Sequence, residues 1–72
     1  MDKQITVSLQ EVRRVFNFLQ KANKLMHQPM AFKDPQQVEK FVDDNYPEVR
    51  DLYYHVVWNW LPEDVQKEIE EQ

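Results

Sequence analysis

The chain contains no glycine and no cysteine among its 72 residues, and only one serine, Ser8, and one threonine, Thr6. Without glycine, the phosphate-cradling loops of P-loop and dinucleotide-binding proteins cannot be built in their usual form. Tight hairpin turns lose their commonest residue as well, which argues against a meander of strands. Without cysteine there can be no disulfide, thiolate metal site or cysteine nucleophile, a composition that fits a reducing compartment. No run of 18 or more apolar residues occurs, and the opening MDKQITVSLQ lacks the apolar stretch of a secretory signal. The expectation is a soluble, cytoplasmic protein with no membrane partner.

Basic residues are scarce in the second half. Residues 1–33 hold six Lys or Arg against two acids, residues 34–72 three against eleven, and the net charge is −4. Non-specific affinity for nucleic acid comes from neutralising phosphates with Lys and Arg, so no nucleic-acid partner is expected. Such asymmetry suits solubility, self-complementarity or the steering of a partner. Size adds a further limit, because a domain this small removes only about 60% of its unfolded surface from water. A substrate-enclosing pocket would consume much of the core, which favours a binding module over an enzyme.

What the chain does have is helical periodicity, strongest in PEVRDLYYHVVWNWL, residues 47–61. Val49, Leu52, Tyr53, Val56, Val57 and Trp60 recur at the spacing that aligns side chains on one face of a 3.6-residue helix, so this segment reads as the spine of the core. Asp51, Tyr54, His55, Trp58 and Asn59 project to the opposite face. Two large aromatics therefore lie away from the main stripe, to be covered by another part of the chain or by another molecule.

Three other segments read as helices. Ser8-Leu9-Gln10-Glu11 fits a capping box, in which the serine hydroxyl accepts from the Glu11 amide and the glutamate reaches back, with Val7 and Val12 as a hydrophobic staple. A helix from Leu9 to about Met26 follows, with Leu9, Val12, Val15, Phe16, Leu19, Ala22 and Met26 on the expected buried face. Phe18 and Leu25 widen the arc, and Asn23 inside it calls for a nearby carbonyl. After a connection of unusual apolarity, His27 to Lys33, the run Asp34-Pro35-Gln36-Gln37 supplies a cap and a proline at the first helical position. This helix carries Val38, Phe41 and Val42 and is expected to end near Asn45, since Pro47 disfavours helical geometry at Tyr46. Pro62, Glu63 and Asp64 open a last helix striped by Leu61, Val65 and Ile69, with acids where the helix dipole favours them.

The expected fold class is all-α: a single domain forming a compact small bundle of three principal helices plus a short C-terminal fourth, with residues 1–7 as an extended arm and 70–72 as a frayed tail. Little in it suggests chemistry. Asp51 and His55, at i and i+4, have the spacing of an acid orienting an imidazole, but no hydroxyl nucleophile is near in sequence. No metal-ligand spacing or calcium-loop pattern is present, and no cofactor is expected. The basic strip of Arg13, Arg14, Lys21 and Lys24 reads as a solvated helix face or a docking strip for an acidic partner. Tyr54 and Trp58 form the sharpest feature, since aromatic anchors are enriched at protein interfaces. The expectation is a small, non-enzymatic protein-interaction or regulatory module acting through Tyr54 and Trp58, flanked by Asp51, His55, Arg13, Arg14 and Lys21. Its partner would be another protein or a second copy of itself. A small enzyme using Asp51 and His55, or an acidic regulator of a nucleic-acid-binding protein, are the alternatives.

Overall fold

A hydroxyl and a carboxylate start the two principal helices. In the computed structural model, which describes residues 4–72, the Ser8 side chain accepts from the Glu11 amide at 3.4 Å and opens α1, Leu9–His27. Asp34 accepts from the Gln36 amide at 3.0 Å and opens α3, Pro35–Asp51, with proline at the first turn. Between them α2, Pro29–Phe32, is a single turn begun at another proline. The chain is all-α, with no strand among the described residues. Part of the arm expected over residues 1–7 lies outside the described residues; residues 4–8 have no regular structure. Ser8→Ala removes the one side-chain partner of an N-terminal amide in α1 and is expected to cost about 0.5–2 kcal/mol in a denaturant melt.

Pro47 does not end a helix. α3 runs through it into π turns at Leu52–Val57 and on to α4, Trp58–Trp60, so residues 35–60 form one continuous long helix. The separate helices expected on either side of Pro47 are therefore one. Proline takes an N–H from the backbone ladder here, but Tyr46 and Pro47 are both exposed, so the carbonyl left over one turn earlier can turn to water. What the continuity secures is a row facing α1. Glu48, Leu52, Val56 and Trp60 are four apart, and in a pure α-helix each such step drifts about 40° round the axis. The wider π turns take back that drift. Leu52 and Val56 are then the most buried side chains of the protein, 5% and 4% exposed.

α1 and the long helix lie antiparallel: Arg14 meets Glu48 and Asp51, and Phe18 meets Phe41 with ring centroids 6.4 Å apart. Glu11 does not reach back to Ser8; its Oε1 accepts from Trp60 Nε1 at 3.1 Å, joining the two ends of this hairpin. α5, Glu63–Glu70, folds back on the end of the long helix, where Gln66 Nε2 donates to the Trp58 carbonyl at 2.9 Å. The bundle is elongated, 42 × 29 × 24 Å with a radius of gyration of 15.2 Å, against roughly 11 Å for a spherical chain of this length. The core is correspondingly thin. Among the described residues Ala31, Leu52 and Val56 are the buried apolar ones, joined by buried Asn45, whose Nδ2 donates to the Phe41 carbonyl at 2.9 Å.

Candidate functional site

Helical phase decides which side chains the hairpin uses internally. From α1 the inward positions are Glu11, Arg14, Val15, Phe18, Ala22 and Leu25, all at least partly covered. This corrects the expected buried face, which is turned by roughly a quarter of the circumference. Leu9, Val12, Phe16, Leu19 and Met26 point to solvent. Asn23 is exposed too, so it needs no buried carbonyl. The long helix shows the same division. Glu48, Leu52 and Val56 face α1, while Val42, Tyr46 and Tyr53 are exposed. Tyr53 had been expected in the core. The connection is likewise less covered than its composition implied: Ala31 is buried, but Met30 and Phe32 are exposed.

These outward residues belong to one surface. Arg14 with Glu48 and Asp51 marks one side of the seam between the antiparallel helices, and the polar cleft of Lys21, Lys24, Gln37, Lys40 and Asp44 lies on that side. At about 100° per residue, the exposed apolar residues of α1 fall on the opposite edge of their helix, and those of the long helix do the same. With the helices antiparallel, both edges emerge on the same side. The result is an apolar band along the hairpin, with Phe16 58% exposed, Tyr46 57% and Tyr53 64%.

At the far end the band meets the aromatic pair singled out above. Tyr53 and Tyr54 stack edge to face with centroids 4.9 Å apart. With Trp58, Ile69 and Glu70 they line a cleft of about 290 Å³ between the long helix and α5, at the lower limit of the roughly 300–1,000 Å³ typical of small-molecule sites. Tyr54 is exposed, and Trp58 is half-buried beside α5.

The polar side is internally committed. Arg14 Nη2 contacts Glu48 Oε1 at 2.5 Å and Asp51 Oδ2 at 2.7 Å. The hydrogen bonds that Arg14 donates, first to Glu48 and then to Asp51, hold the guanidinium pKa above its ordinary value. Arg14 is thus separated from Arg13 and Lys21, which stay exposed. Asp51 turns to Arg14, and His55 is exposed, its carbonyl accepting from Asn59. Among the described residues no group of three or more His, Cys, Asp or Glu is placed to hold a metal ion, and no helix is long and apolar enough to cross a membrane. No family model, curated protein or solved structure matches the chain.

Proposed function

We propose that the protein is a small interaction module without catalytic activity, and that its docking surface is the apolar band running from α1 across the long helix to Tyr54 and Trp58. One observation carries this reading: among the described residues thirteen large apolar side chains are exposed while three apolar residues are buried. Monomers rarely expose a contiguous apolar patch beyond a few hundred Å², and larger ones mark association surfaces. Asp51 supports the non-catalytic part, because its carboxylate is held by Arg14. The excess of acid, net −4, supports a protein rather than a nucleic acid as partner.

Hydroxyl-radical footprinting tests the reading on the native chain. Phe16, Met26, Tyr46 and Tyr53 are expected to label freely in dilute purified protein and to be protected several-fold in extract of the source cells, while Tyr54 and Trp58 report the far end of the band. Free labelling in both conditions would mean that nothing docks there and would remove the proposal.

A further inference from the structure

We infer that the occupant of the band is a second copy of this chain. Two hairpins stack face to face as a four-helix bundle, with α1 of each copy lying over the long helix of the other. This rests on the reading of the band as a docking surface and names what docks.

Area is the first reason. With full side-chain areas of about 150–250 Å² for large residues, the band leaves on the order of 1,000 Å² open on each chain. A standard stable interface takes about 800 Å² from each partner. The band is thus large enough for a dimer and lies along two antiparallel helices, which is half of a four-helix bundle. A two-fold interface also requires one patch to fit itself, and a band of aliphatic and aromatic side chains from paired helices does so without burying a charge.

Charge is the second reason, and it selects the arrangement. Beside the internal Arg14–Glu48–Asp51 cluster, α1 carries Arg13, Lys21 and Lys24 against Glu11, a balance of +2. The long helix carries Glu39, Asp43 and Asp44 against Lys40 and Arg50, a balance of −1. A two-fold axis parallel to the helices sets each α1 over the oppositely charged long helix of the other copy. An axis perpendicular to them would oppose α1 to α1 and acid to acid, which complementarity disfavours.

Sedimentation equilibrium from 1 to 100 µM decides the stoichiometry. The expected species is twice the 8.9 kDa chain mass. Tyr46→Asp, at an exposed position outside the hairpin seam, should raise the dimer dissociation constant about 30-fold or more, as for an interface anchor. Phe16→Asp, on the α1 edge of the band, should weaken the dimer in the same way, while Lys40→Glu in the polar cleft on the opposite side should leave it nearly unchanged. A folded monomer at 100 µM overturns the inference while leaving the docking surface to be judged by footprinting, where protection in extract alone points to a different protein. A dimer that Tyr46→Asp and Phe16→Asp leave intact, or that Lys40→Glu weakens equally, overturns the proposed face.

Discussion

Replacing Leu52 by alanine is expected to leave a chain that no longer melts cooperatively at room temperature and above. Leu52 is 5% exposed and sits where α3 passes into the π turns, facing α1 together with Val56. Cutting a buried leucine back to alanine costs about 2–5 kcal/mol, from lost transfer energy and from the cavity left behind. A chain of this length has roughly 4–11 kcal/mol of stability in all. With so few apolar residues fully buried, neighbours have little scope to close over the gap. Far-ultraviolet circular dichroism against temperature and urea provides the measurement. A melting point within a few degrees of the parent would mean that the seam between α1 and the long helix is not what holds the fold together.

Pro47→Ala is expected to act in the opposite direction and raise the melting temperature by about 5–15 °C. The proline lies inside a continuous helix, where the missing N–H and the ring's clash with the preceding turn cost up to about 3 kcal/mol. Alanine restores the donor and is the best helix former. The unfolded chain gains freedom when proline is removed, which returns about 0.4–1 kcal/mol. A net gain of roughly 1–2 kcal/mol divided by the unfolding entropy of a chain this size gives the stated shift. Calorimetry would show it. A lower melting temperature would instead mean that the proline imposes a bend needed for Glu48 and Asp51 to reach Arg14, and the loss of that ion pair would be visible by NMR of the guanidinium.

Local signals in the sequence were reliable where the physics is local. Ser8, Asp34, Pro35 and Pro62 mark helix starts because a cap or a fixed φ acts within one turn, and each stands where a helix begins. Pro47 carries the same kind of signal and was overridden, because Glu48, Asp51 and Trp60 on its far side all engage α1. That competition is between distant segments and cannot be read from spacing. The face of α1 was misread for a related reason. Periodicity gives the width of an apolar arc but not which part of it the chain itself covers, and Glu11 and Arg14 could turn inward only because Trp60, Glu48 and Asp51 supply partners. Of the aromatic surface, Tyr54 and Trp58 were legible as lying off the main stripe. Tyr53 was not, since it lies within the same apolar arc as Leu52 and spacing does not tell which side of that arc the chain covers.

The π turns have a further consequence for how this chain can change length. A helix in the α form cannot lose a residue without rotating everything beyond it by about 100°, and the ladder gives no room for the loss. One that already accommodates a surplus residue at Leu52–Val57 can drop it and settle into ordinary α geometry with its backbone bonds intact. The helix would survive and so would its alignment, because the roughly 100° lost with the residue is returned when the π turns relax to α turns, leaving Trp60 on the side of Glu11. The middle of the long helix is therefore a place where the gene can lose a codon without unfolding the protein or re-aiming its C-terminal end.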